Sequence, residues 1–149
     1  MAQTYFGSTV RAGSGTLTDT VDGGFMVLTQ TTTATTLADG SAVTSTITIP
    51  ADSQIINFFI DCTTTPVVGG GTATAVNATI GTAAAGTQYL SATDVIAGGR
   101  ASLSFTAAQL TAMEDVNANT TVAFTIDPNG TVSTTQGVYR LTVVYAQKV

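Results

Sequence analysis

Along most of this chain apolar side chains recur at every second position, and a period of two is the signature of a β-strand with one buried face. Val122, Phe124 and Ile126 alternate with Thr121, Ala123 and Thr125. Tyr139, Leu141, Val143 and Tyr145 line one face of the last segment, with Arg140, Thr142 and Ala146 mostly opposite. Over residues 53–63, Ile56, Phe58, Ile60 and Cys62 take one side and Ile55, Asn57, Phe59 and Asp61 the other. Apolar residues on both sides there predict a central strand covered on both faces. Further strands are predicted over 4–10, 25–36, 43–49, 73–80, 88–91 and 100–106. Threonine is 32 of the 149 residues, and its β-branched side chain suits a pleated, half-exposed surface.

The strands are punctuated by turn chemistry. Asp22-Gly23-Gly24 and Asp39-Gly40 supply residues that tolerate positive φ. Asp127-Pro128-Asn129-Gly130 offers a proline at a type I turn position with glycine behind it, and Gly69-Gly70-Gly71 and Gly98-Gly99 mark two more loops. One helical signal stands out. Thr106-Ala107-Ala108-Gln109 is a T-x-x-Q capping box, followed by Leu110 and Met113 on one face, which predicts a short helix ending near Asn117. Eight or nine short strands with one short helix predict an all-β fold, an antiparallel β-sandwich of jelly-roll type. Residues 16–149 read as a single domain. Residues 1–15, rich in Gly and Ser after Tyr5 and Phe6, read as an amino-terminal arm reaching outside it.

Charge then narrows the function. Nine acidic and four basic residues give a formal net charge of −5. Arg11, Arg100, Arg140 and Lys148 are too few for the basic track that phosphate backbones demand, so nucleic acid is excluded. There is no histidine, hence no Ser-His-Asp or Cys-His nucleophile and no imidazole metal ligand. Charged residues make up 9% of the chain, where about 25% is ordinary, yet 44% of it is hydrophobic, so it folds with a coat of Thr, Ser, Ala and Gly. Short side chains have little rotamer entropy to lose on contact, which suits a surface packed against neighbours. The longest apolar run, from Ile55 to Ile60, is too short to span a bilayer, and no signal-peptide pattern opens the chain, so a product made in the cytoplasm is expected.

The remaining candidates for chemistry have plainer explanations. Asp19, Asp22 and Asp39 lie near glycine turns, but no D-x-D-x-D-G loop for calcium is present. Glu114 and Asp115 are neighbours whose side chains diverge, which is a poor carboxylate pair for glycoside hydrolysis. Cys62 shares an apolar face with Phe58 and Ile60 and reads as a small buried hydrophobe. Asn77, Asn119 and Asn129 begin glycosylation sequons of the kind a threonine-rich chain produces by chance. No cofactor and no metal are expected.

A run of motifs carries a resemblance. Ile49-Pro50-Ala51-Asp52-Ser53-Gln54-Ile55-Ile56 is followed by Asp61-Cys62-Thr63-Thr64, Gly71-Thr72-Ala73-Thr74, Ile80-Gly81-Thr82-Ala83, Tyr89-Leu90-Ser91-Ala92 and Leu141-Thr142-Val143-Val144-Tyr145. In this order they resemble the small β-sandwich virion proteins of tailed bacteriophages that decorate heads; the stretch covers roughly residues 43–146, and the capped helix is an addition to the pattern. The resemblance implies a non-enzymatic capsid decoration, or cement, protein on the outer surface of the virion. Its partner would be the major capsid protein, and it would form a homo-oligomer, a trimer at local threefold positions. Tyr5, Phe6 and Arg11 are the expected partner-binding residues, since aromatic and Arg anchors are what interfaces favour; the alternative for Tyr5 and Phe6 is the first core strand. Two other functions compete: a tail-fibre or receptor-binding module, and a cell-surface adhesin-like β domain.

Overall fold

The computed structural model describes residues 25–67, 71–114, 116–132 and 136–148. The predicted arm, the strand predicted over 4–10, Tyr5, Phe6, Arg11, Asp19, Asp22 and Asp115 lie outside the described residues. The described strands are β1 (Phe25–Thr31), β2 (Thr35–Thr36), β3 (Val43–Ile49), β4 (Ser53–Thr64), β5 (Val76–Gly81), β6 (Leu90–Asp94), β7 (Gly99–Arg100), β8 (Thr120–Pro128) and β9 (Val138–Lys148), with one helix, α1 (Ala107–Met113), before β8.

Every described pairing is antiparallel. One sheet has the order β1-β9-β4-β7, with β2 also on β9; the other has the order β3-β8-β5-β6. With the two-residue β2 set aside, the eight strands taken in chain order form sheets 1-8-3-6 and 2-7-4-5. Two Greek keys folded across two sheets in this way are a jelly roll. The fold is an all-β sandwich with one short helix, as the periodicity predicts.

The alternating residues meet between the sheets. From the first sheet come Phe58, Ile60, Leu141 and Val143, and from the second Ile47, Val76, Ile80 and Phe124, each at most 7% exposed. Burying each large apolar side chain contributes about 1.5–3 kcal/mol, which makes this interface the main source of stability. Tyr89 and Phe105 close the core over Phe58, with ring centroids 5.7 and 6.3 Å away. β8 is buried on both faces, because residues 82–87 fold back over it and the Ala85 N–H donates to Thr125 Oγ1 at 2.9 Å.

Several local expectations are corrected. The strand predicted over 25–36 is interrupted: Thr32 turns inward, its N–H donating to the Leu141 carbonyl at 2.9 Å and its Oγ1 accepting from the Leu141 N–H at 3.1 Å. In β4 a bulge lies between Ile55 and Asn57, so Ile55 is buried and Ile56 is turned out, 48% exposed. β4 is central in its sheet, as predicted, and its outward residues Asn57, Phe59 and Asp61 are half-buried. Asp127 and Pro128 belong to β8, and the turn begins at Asn129. There Asn129 Oδ1 accepts from the N–H groups of Thr74 and Ala75, at 2.8 and 2.9 Å. Of the stretch predicted over 100–106 only Arg100 is strand, as the second residue of β7.

Helix α1 carries the predicted capping box. Thr106 Oγ1 accepts from the Gln109 N–H at 3.3 Å, and Gln109 Oε1 accepts from the Thr106 N–H at 2.9 Å. It ends at Glu114 rather than near Asn117, because Val116 is captured by β4: Val116 N–H donates to Ser53 O at 2.8 Å, and Asp52 N–H to Val116 O at 2.7 Å. The buried face of α1 is Gln109 and Met113, whereas Leu110 is 51% exposed.

Candidate functional site

The outer face of the β1-β9-β4-β7 sheet is the surface on which outward residues gather with little charge. Side chains directly opposite on neighbouring strands share a face, so the register defines its rows. They are Val27, Ala146 and Gln54; then Thr29, Val144 and Asn57; then Thr31, Thr142 and Phe59; then Arg140, Asp61 and Arg100. The third row is stitched by a 3.0 Å contact between the hydroxyls of Thr31 and Thr142. Val27 is 65% exposed. Among the rows whose side chains are described, three are thus free of charge and the fourth is a charged rim.

The rim is ordered by one residue. Arg100 Nε donates to Asp61 Oδ1 at 2.9 Å and Nη2 donates to Oδ2 at 3.3 Å, while the guanidinium lies 4.7 Å from the centre of the Phe59 ring. The hydrogen bond and charge of Asp61 push the Arg100 guanidinium above its usual value. Because Arg100 is largely exposed, the pair is worth little to stability in water, but it presents a fixed, planar donor beside an aromatic ring.

At the opposite end the face runs into a shallow groove lined by Gln54, Ile55, Ile56, Leu110, Met113 and Glu114. The β4 bulge builds it by directing Ile56 outward beside α1. Periodicity alone puts Ile56 on the buried side. The signal that could have found the bulge is the misfit between Ile55 and Phe58, which are both apolar and three residues apart.

The other candidates named from the sequence are structural. Asp39 Oδ1 accepts from the Val132 N–H at 2.8 Å, tying the turn before β3 to the loop after β8. Gly40, next to it, has φ +64, as its turn requires. Cys62 is buried, and its thiol donates to the Thr64 carbonyl at 3.2 Å. Glu114 is the C-cap of α1. Among the described residues no three His, Cys, Asp or Glu side chains gather to hold a metal ion, and no helix is long and apolar enough to cross a membrane.

The described strands form a jelly-roll sandwich whose outer β1-β9-β4-β7 face carries few charged side chains. Compared with protein families, curated proteins and solved structures, the chain finds no match.

Proposed function

We propose that this chain is a structural virion protein, a decoration protein that binds the outer surface of a tailed-phage head and stabilises it without catalysing a reaction. The observation that carries this is the outer face of the β1-β9-β4-β7 sheet: Val27, Val144 and Phe59 among short Thr side chains, bounded by Arg140, Asp61 and Arg100. An interface core depleted in charge, with aromatic and Arg residues at its margin, is the anatomy of a protein-binding surface. Threonine loses less rotamer entropy on contact than Lys or Glu would. The motif order described above supplies the partner, the major capsid protein, and a trimer as the assembled form. Many copies of such a modest interface on one shell sum to a large stabilisation.

The test is to titrate bare heads with purified protein and follow their thermal rupture. Saturable binding, on the order of hundreds of copies per particle, with a raised rupture temperature is expected from mass action on a symmetric shell. An unchanged rupture temperature at saturation overturns the proposal, and a copy number of only a few dozen assigns the chain to the fibre-tip function instead.

A further inference from the structure

The four edges of this sandwich are guarded unequally. A sheet edge presents unpaired N–H and C=O groups, and folded proteins protect such edges with charge, bulges or brevity. On one side of the sandwich that protection is present: β7 is two residues long and carries Arg100, while β6 carries Asp94 and has an irregular register against β5. On the other side it is missing. β1 and β3 are each seven residues, contain neither charge nor proline, and pair with β9 and β8 without a register shift. Among the described residues no hydrogen bond reaches the backbone groups on the free side of either strand.

We infer that the free edge of β1 is a self-association surface, on which β1 of a second copy pairs antiparallel about a two-fold axis midway between the two copies of Leu28. Three observations select a second copy as the occupant. An antiparallel pair of identical strands sets residue 27 opposite 29 and 26 opposite 30, so any charge in the strand would meet its own kind or lie near it; β1 has none. The two-fold axis of such a pair runs midway between the two copies of one residue, and Leu28, the middle of Phe25–Thr31, is the choice that overlaps all seven residues. The apolar side chains are also left uncovered. Met26, on the same side of the strand as the half-buried Leu28, is 39% exposed, and Val27 on the outer face is 65% exposed. Pairing brings Leu28 against its symmetry mate and Met26 against Gln30. It also joins two outer faces into one continuous surface.

The contact is two-fold, so it links two copies and does not close a ring of three. In a trimeric assembly it would join one trimer to the next. It does not rest on head binding and is tested on the purified full chain. Sedimentation across a concentration series should show a dimer, with β1 amides gaining hydrogen-exchange protection as concentration rises. The double substitution Val27→Lys with Thr29→Lys, both pointing outward, sets lysine opposite lysine twice and should weaken association at least about tenfold. The Val27→Glu with Thr29→Glu chain should do the same, and mixing the two variants should restore association as a heterodimer visible by native mass spectrometry. Circular dichroism and the thermal midpoint of each variant establish that it is folded. A wild-type chain that stays monomeric, an oligomer that the lysine pair leaves intact, or a mixture that forms no heterodimer overturns the inference.

Discussion

Gln109 is the polar residue whose removal should cost this fold most for its size. It is 5% exposed and makes three side-chain hydrogen bonds: Oε1 accepts from the Thr106 N–H at 2.9 Å, and Nε2 donates to Thr87 O at 3.2 Å and Ser91 Oγ at 3.0 Å. One side chain therefore closes the cap of α1 and fastens the helix to β6 and the loop before it. Each bond contributes about 1 kcal/mol net, and Gln109→Ala leaves the donor and acceptors unpaired, so a loss of about 3 kcal/mol is expected. For a domain of this size that lowers the thermal midpoint by roughly 6–12 °C. Thr106→Ala removes only the other half of the cap and should cost about 1 kcal/mol. Gln109→Met fills the volume without the hydrogen bonds and should recover little of the loss. Urea and thermal unfolding of the three variants measure this. If Gln109→Ala costs no more than Thr106→Ala, or if methionine restores wild-type stability, the cross-link from helix to loop is not what holds α1 in place.

Other perturbations test other parts of the structure. Tyr139 is fully buried and among the described residues its hydroxyl has no hydrogen-bond partner of good geometry, so Tyr139→Phe should leave stability unchanged or raise it by up to about 1 kcal/mol at neutral pH. Burial first, then the neighbouring Cys62 and Asp94, hold the Tyr139 phenol well above its ordinary value. The stability this lends is complete below a pH of about 10, where the unfolded phenol is still neutral, and declines as pH rises further. Unfolding followed across that range should show a weaker alkaline loss in Tyr139→Phe than in wild type. Val144→Glu places a charge amid the uncharged rows of the outer face; the fold should change by no more than about 1 kcal/mol, while head binding is lost in the titration. Deleting Ile56 removes the bulge residue yet keeps Ile55 and Phe58 inward, so the chain should fold at a cost of about 1–3 kcal/mol. An unfolded circular-dichroism spectrum would show that the bulge is required.

How far the fold could be read in advance varied with the range of the interaction. β3 occupies the residues its alternation predicts, and β4 and β9 extend theirs slightly, because the inward positions there are mostly Ile, Phe, Leu, Val and Tyr. The capping box was equally legible, since Thr106 and Gln109 satisfy each other within one turn. The helix end was not, because Val116 bonds across the fold to Ser53, which precedes it by more than sixty residues of chain. The same holds for Thr32, whose inward turn is set by Leu141. The outer face was out of reach of the sequence as a site. Val27, Val144 and Phe59 lie far apart in the chain and become neighbours only through strand register.

The amino-acid sequence by itself determined that this protein is a β-sandwich with a threonine coat, one capped helix and no histidine-based chemistry, because side-chain period, turn residues and composition act locally or on the whole chain. The tertiary structure decided the jelly-roll order, the bulge that turns Ile56 outward, the row of Arg140, Asp61 and Arg100, and which described strands lie at the sheet edges. Those depend on which strands pair and in what register. Pairing energy is nearly the same for many alternating segments, so only the joint packing of both sheets selects among them.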